Sequence, residues 1–371
     1  MIVFAHLLDD ASGSPRVLKN VIEVAQSHGL KCKLFLGYGG QKSEASGLLG
    51  NMIMPKRRYF YQFHAGILKR LIAYSVSQLL LFTALVLDKD ARQAKVIYVN
   101  TLLPVGAMIF GALLSKRVIV HIHELSLKPL VFHKTVLWLT QICASKVIFV
   151  SRAQSSTFDL KKFKSWKIIY NGYDPSLLPS SNLKDGDELL HSRTRDSFQI
   201  LMLASLRDFK GIPAFLALTD RFLEDGRFHF TLILNEEQSV VEVFRKSHSR
   251  ANLTMVGRPE STAPYYQQAD LVLNLSYPDQ FIETFGLTLV EAMAFAKPVI
   301  GPPVGGPTEI ILDGENGFLI SAYELDEIAR RLEELRSDRA HYDRLSKAAK
   351  ERSLRFSPKT FQSSILRELS E

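Results

Sequence analysis

Apolar residues recur along this chain in two alternating rhythms. Short hydrophobic runs of strand length are separated by longer stretches in which apolar positions return every three or four residues, the pattern of parallel strands covered by helices. In the first half the runs predict strands at Ile2–His6, Lys33–Leu36, Val96–Val99, Val118–His121, Val147–Val150 and Lys167–Tyr170. In the second half they predict strands at Gln199–Ala204, His229–Leu234, Leu253–Val256, Leu271–Leu275, Pro298–Ile300 and Gly317–Ile320. Between the halves, Asp174 to Ser197 is rich in Ser, Asp, Lys and Pro and has no apolar period. The pattern predicts two doubly wound α/β domains, over 1–175 and 199–355, joined by a linker over 176–198 and followed by a helix over 356–371. No internal period of solenoid length is present.

Composition is that of a globular protein, with 46% hydrophobic and 23% charged residues. Charge alters the picture because it is divided unevenly. Residues 1–175 hold 23 Lys or Arg against 9 Asp or Glu, a balance of +14, which leaves −6 for the remainder of a chain whose net charge is +8. A basic half suits nucleic acid, membrane or an anionic substrate, and no nucleic-acid-binding motif supports the first. The stretch PKRRYFYQFHAGILKR sets Lys56, Arg57, Arg58, Lys69 and Arg70 around Tyr59, Phe60, Tyr61, Phe63 and His64. Cations beside such aromatics suit a surface resting on anionic lipid, and equally a solvated face. Leu71 to Leu87 follows, 17 residues interrupted by Ser75, Ser77 and Gln78, whose length and polarity favour a buried or interfacial helix over a membrane crossing. The N-terminus MIVFAHLLDD lacks a basic leader and soon meets Asp9 and Asp10, so it reads as a first strand, and no export is implied. Cys32 and Cys143 show no metal-ligand spacing and read as buried thiols of a reducing compartment.

One segment names a chemistry. In FIETFGLTLVEAMAFAKPVIGPPVGGPTEII, Glu283 and Glu291 stand eight positions apart around a predicted helix start. The stripe Leu287, Leu289, Val290, Met293 and Ala294 starts that helix near Phe285-Gly286 and puts Glu291 in its second turn. The amides of residues 286 to 289 and the helix dipole would then favour a phosphate at this point. The segment resembles the E-x7-E signature of the retaining glycosyltransferases of the GT-B fold, family four, the glycosyl transferases group 1. That resemblance implies two Rossmann-like, doubly wound parallel-sheet domains facing a central cleft. The first would bind the acceptor and the second the nucleotide sugar, with the C-terminal helix crossing back to the first domain. It implies a hexosyltransferase-type enzyme in which Glu283 contacts the donor sugar and Glu291 the ribose. The backbone of Phe285, Gly286, Leu287 and Thr288 would hold the diphosphate.

The flanking segments extend the resemblance. After strand Gln199–Ala204 comes SLRDFKGI, where Lys210 matches the family's phosphate-binding lysine. The arginine expected five positions earlier is Ser205, and Arg207, two residues later, is the candidate substitute. A guanidinium grips phosphate as a fork where an ammonium is a point charge, so the exchange bears on affinity. After the first strand, DDASGSPRVLKNVI offers Gly13 for close backbone approach to donor, Ser14 as a helix cap and Pro15 for the first turn. HIHELSL presents His123 beyond strand Val118–His121, where the family has a histidine on the donor sugar; His121 reads as core, and Glu124 as orienting the loop. Tyr170-Asn171-Gly172 matches the turn closing the first domain. Asp313-Gly314 and Asn316-Gly317 read as turns. Ala296 stands where a glycine often ends the helix; if left-handed, it costs on the order of 1 kcal/mol.

Together these features predict transfer of a sugar from a nucleotide diphosphate donor to a saccharide acceptor that is lipid-linked. The setting implied is surface polysaccharide (capsule, exopolysaccharide or lipopolysaccharide) biosynthesis, in the cytoplasm at the inner face of the membrane. No metal and no cofactor beyond the donor are expected, because Lys210 and the helix amides supply positive charge. Two other readings share the scaffold: a non-catalytic nucleotide-sugar-binding or assembly subunit, suggested by Ser205, and a GT-B sugar-nucleotide epimerase, whose family lacks the glutamate pair.

Overall fold

The computed structural model describes residues 1–9, 12–38, 48–62, 66–178 and 197–371. Two compact units emerge, one of Met1–Asn171 with Phe361–Glu371 and the other of Gly172–Thr360. The boundary falls within the Tyr170-Asn171-Gly172 turn. Most of the linker expected over 176–198 lies outside the described residues, as do Phe63 and His64; Pro175–Leu177 form a short 3-10 turn.

Among the described residues the first unit contains seven strands. These are β1 (Ile2–His6), β2 (Cys32–Tyr38), β3 (Lys56–Phe60), β4 (Val96–Asn100), β5 (Arg117–Ile122), β6 (Lys146–Phe149) and β7 (Trp166–Ile168), all parallel, in the order β3-β2-β1-β4-β5-β6-β7. Because both faces are covered, the central strands are apolar at successive positions. Val3, Ala5, Ile97, Val99, Val118 and Val120 face a core shared with the helices Ile67–Leu87, Val105–Leu113 and Leu130–Cys143. Their neighbours Ile2, Phe4, Val96, Tyr98 and Ile119 face the opposite core, with the helix Gly13–Ser27 and with Phe361, Ile365 and Leu369 of the C-terminal helix Pro358–Ser370. That last helix is fastened by Glu368, a fully buried carboxylate within 2.7 Å of Lys167 and 2.9 Å of Lys146. A buried charge persists only when matched in this way.

The basic stretch, expected as a lipid-facing or solvated surface, contributes β3, an edge strand. A run such as KRRYF shows no continuous hydrophobicity, and sheet edges tolerate and favour such charge. Its residues are partly committed: Tyr59 is buried and donates to the His6 carbonyl at 2.9 Å, and Lys56 donates to the carbonyls of Gly50 and, at 2.6 Å, Met52. The expected helix start after β1 also shifts. Ser12 takes the cap position and Ser14 lies inside the helix Gly13–Ser27, with no side-chain capping bond from Ser12. Both cysteines are buried free thiols, and burial pushes the Cys32 thiol up to about 11.

Among its described residues the second unit holds six strands. They are β8 (Phe198–Ala204), β9 (Phe228–Leu234), β10 (Leu253–Val256), β11 (Leu271–Leu273), β12 (Val299–Gly301) and β13 (Gly317–Leu319), again all parallel, in the order β10-β9-β8-β11-β12-β13. The chain winds outward from β8 to β9 and β10, then returns to place β11 on the other side of β8. A crevice opens at such a reversal, beyond the carboxyl ends of the two central strands.

Ala296 is left-handed, at φ 57°. It ends the helix Leu287–Ala294 with the bond pair Ala296 N–H to Met293 O at 2.9 Å and Lys297 N–H to Ala292 O at 3.0 Å. That is the reciprocal C-terminal arrangement for which glycine is favoured. Ala296→Gly is expected to stabilise the second unit by about 1 kcal/mol, read as a higher denaturation midpoint at unchanged slope. An unchanged or lower midpoint would show that the strain is absorbed elsewhere.

Candidate active site

The reversal point of the second sheet gathers the predicted phosphate and sugar ligands. Leaving β8, the chain turns through Asp208–Lys210 into the helix Ile212–Arg221 by way of Gly211, at φ 82°. A Cβ on Gly211 would lie 1.9 Å from the Leu275 carbonyl oxygen, so only glycine lets this loop touch the segment after β11. Tyr277 N–H bonds to the Phe209 carbonyl at 3.0 Å and joins the same two segments.

Across that seam Lys210 meets Glu283. The ammonium donates to Glu283 Oε1 at 2.7 Å and sits 3.6 Å from the centroid of the Phe281 ring, which itself stacks on Phe209. The same carboxylate oxygen accepts from Ser276 Oγ at 3.0 Å and Asn274 Nδ2 at 3.3 Å. Burial tends to raise the Glu283 pKa, but Lys210 and these three hydrogen bonds outweigh it and hold the carboxyl below its ordinary value. Glu283 is therefore an ionised group of fixed orientation. Its main chain is pinned as well: Gly306 N–H bonds to the Glu283 carbonyl at 2.8 Å, and a Cβ on Gly305 or Gly306 would strike the backbone of Glu283 or Phe285.

Three residues on, Gly286 at φ 111° starts the helix Leu287–Ala294. Leu289 N–H turns back to the Gly286 carbonyl at 3.1 Å, so of the amides expected to face a ligand that one is spent within the helix. Leu287 and Thr288 remain as first-turn amides, which have no acceptor inside their own helix. Phe285 is buried edge-on against Phe356, so its side chain serves the core. Glu291 lies in the second turn, as its spacing predicted; it is buried and accepts from the Tyr266 hydroxyl at 2.6 Å. Arg207, on the same loop as Lys210, is exposed, and its side chain pairs with no described residue.

In the first unit the sheet reverses between β1 and β4, and a row of polar groups occupies the carboxyl ends there. His6 ends β1 and Asn100 ends β4; Asn100 Nδ2 lies 3.2 Å from His6 Nδ1 and donates to the Ser14 carbonyl at 3.1 Å. Asn100 Oδ1 is 3.0 Å from His123 Nε2. His123 thus has a fixed ring, and Asn100 also ties it to the helix that begins at Gly13. A Cβ on Gly13 itself would meet nothing within 4 Å, so no contact in this unit demands glycine there. Burial, then the neighbouring His121 and His6, hold His123 well below its ordinary pKa, so it is neutral near pH 7. His121 is core, as its alternation predicted: it is fully buried, burial pushes it down to about 3, and Nδ1 lies 2.7 Å from the Tyr98 hydroxyl. Glu124 orients the loop, accepting from the amides of His123 at 3.1 Å and Leu102 at 3.3 Å.

Sequence reasoning missed Ser276, Asn274, Tyr266 and Asn100. All four are common polar residues whose role lies in what stands across the fold. The available signal was position: Asn100 directly follows the predicted strand Val96–Val99, and Asn274 and Ser276 flank the carboxyl end of the predicted strand Leu271–Leu275.

Residues 191–352 match the family model described as glycosyl transferases group 1. Sucrose synthase of Thermosynechococcus vestitus is 47% identical over 74 residues, 19% of this chain and 9% of that protein. N-acetyl-alpha-D-glucosaminyl L-malate synthase of Bacillus anthracis is 29% identical over 113 residues, 30% of this chain and 29% of that protein. The chain therefore spans less than a third of the length of either relative. The crystal structure of Anabaena HepE in complex with UDP and glucose shares the fold, with a TM-score of 0.76 at 22% identity over 100% of this chain and 99% of that one.

Proposed function

We propose that residues 191–352, which match the model of the glycosyl transferases group 1, form the donor-binding domain of a GT-B scaffold, and that the protein transfers a sugar, with retained anomeric configuration, from a nucleotide diphosphate donor to a lipid-linked saccharide. The observation that carries this reading is the Lys210–Glu283 pair, 2.7 Å apart beside the first-turn amides of the helix Leu287–Ala294. The donor's diphosphate sits on the Leu287 and Thr288 amides, and Lys210 turns its remaining N–H groups to the leaving oxygens. As the bond from sugar to phosphate lengthens, charge grows on the diphosphate where fixed donors already stand. Glu283 positions the sugar and, by its ion pair, the Lys210 ammonium. His123, neutral and held by Asn100, contributes a hydrogen bond to the sugar. Glu291, oriented by Tyr266, takes the ribose. A phosphate oxygen receives the proton of the acceptor hydroxyl, which attacks from the leaving-group side. No step of this reaction requires a metal ion.

The neighbour solved with UDP and glucose supports a uridine donor as the first to try. The basic balance of residues 1–175 supports a lipid-linked acceptor at the inner face of the membrane in surface polysaccharide assembly. A panel of UDP-, GDP-, ADP- and TDP-sugars read by thermal shift tests the donor. One member, at about 100 times its dissociation constant, is expected to add about 2.7 kcal/mol and raise the midpoint by about 5 °C or more. No response to any of them, or a product of inverted configuration by proton NMR, would sink the respective part of the reading.

A further inference from the structure

The helix Ile67–Leu87 is long and apolar enough to cross a membrane by length and composition. Yet one side of it is committed, since Tyr74, Leu81 and Leu85 belong to the core over the first sheet. The helices Val105–Leu113 and Leu130–Cys143 cover the same face. Tyr74 packs edge-on against Phe132 at 4.9 Å, and a Cβ on Gly106 would lie 2.3 Å from the Gln78 carbonyl oxygen, so the three helices form one close layer.

The outward side of that layer is apolar. Leu68, Ile72, Leu79, Leu113, Val131 and Trp138 are between 57% and 75% exposed. Contiguous exposure on this scale marks an interaction surface, where single exposed apolar residues would not. Two observations select its occupant. The stretches 66–87, 104–116 and 125–145 contain no Asp or Glu, while Lys69, Lys128 and Lys134 are exposed on them. A face of one charge sign repels a second copy of itself and complements anionic headgroups. In addition, the exposed hydroxyls on these helices are satisfied internally: Ser75 donates to Leu71 O at 2.9 Å, Thr83 to Leu79 O at 2.8 Å and Thr135 to Val131 O at 3.0 Å. Contact with acyl chains would therefore leave none of these three hydroxyls without a partner, the condition hydrocarbon imposes.

We propose that this three-helix face seats the protein on an anionic lipid bilayer, with the helix Ile67–Leu87 lying in the interface plane and the exposed lysines on headgroups. The inference deepens the reading of a lipid-linked acceptor and takes its purpose from it. It also moves the contact away from Lys56–Arg58, which sit on the edge strand β3.

Flotation of the full chain on vesicles of phosphatidylcholine with phosphatidylglycerol tests it, with pure phosphatidylcholine beside it. Wild type is expected to float on the anionic vesicles only. Leu68→Gln/Leu79→Gln/Trp138→Gln is expected to lower binding by about a hundredfold or more, while Lys56→Glu/Arg57→Glu/Arg58→Glu keeps most of it. Equal binding by wild type and the leucine–tryptophan variant, no binding by wild type, or a lipid-independent dimer that this variant dissolves would each overturn the proposal. Trp138 also reports by fluorescence: in a Trp166→Phe chain its emission should shift to the blue on anionic vesicles, and an unshifted spectrum counts against the proposal. The donor thermal shift, run on the same variants, separates the two readings. Flotation that depends on these side chains in a protein no donor stabilises would support the docking face and overturn sugar transfer instead.

Discussion

Lys210→Ala is expected to lower the rate of sugar transfer by a factor of about 100 to 1000, the usual cost of removing one fixed donor from developing anionic charge. The effect should fall on kcat more than on KM, because the ammonium meets its strongest partner only as the diphosphate leaves. Structure adds a complication, since the same substitution strands Glu283, whose side chain is only 17% exposed. Losing one partner of a largely buried pair destabilises the protein, here on the order of 1–2 kcal/mol after allowing for partial solvent contact. The double variant Lys210→Met/Glu283→Gln separates the two effects. It removes both charges together, so stability should return toward wild type while transfer stays low. Initial rates at saturating donor and denaturation midpoints on both variants check this. A double variant that regained activity with its stability would show that the pair holds the loop and does no chemistry.

Acid should weaken the first unit before the carboxylates themselves titrate. His121 is held at about 3 and His123 well below its ordinary value, both by burial. The sign follows from proton counts: below about pH 6.5 the unfolded chain protonates these histidines and the folded chain does not, so stability is fully present above that pH and declines as pH falls. A neutral histidine costs about 1.4 kcal/mol per pH unit in this window, so His121 alone removes on the order of 3 kcal/mol between pH 7 and pH 4.5, and His123 adds to the loss in the same direction. Glu124 acts in the opposite sense, because burial raises its pKa and the folded chain takes up its proton early. His121→Phe isolates one contribution. It forfeits the Tyr98 bond equally at every pH, and it should recover about 2–3 kcal/mol of the loss at pH 4.5 relative to pH 7. Denaturant midpoints across that range give the result. A variant whose pH dependence matches wild type would mean that His121 takes up a proton in place, although its Nε2 has no partner among the described residues.

The readable parts of this protein were those that depend on neighbours along the chain. The run at Ile2–His6 became a strand with those bounds, because buried parallel strands need continuous apolarity; Leu253–Val256 kept its bounds as a partly exposed edge strand. Ala296 could be expected in a left-handed turn from its place after a helix. The strand Lys56–Phe60 was illegible, since an edge strand is held by pairing on one side and need not look hydrophobic.

Sequence by itself thus determined two alternating αβ units, the helix start at Gly286, and the identities of Lys210, Glu283, Glu291 and His123 as candidate ligands. Only the tertiary structure decided which of them meet. Lys210 and Glu283 are 73 residues apart in the chain and touch because β11 returns to lie beside β8, with Gly211 thin enough to let the two loops close. Asn100 reaches His123 for the same reason, through the pairing of β4 with β5. The docking face has the same origin. Periodicity marked the helix Ile67–Leu87 as apolar, but which of its sides is buried depends on the sheet beneath it. Strand order is fixed by packing over long sequence separations, and no local pattern encodes it.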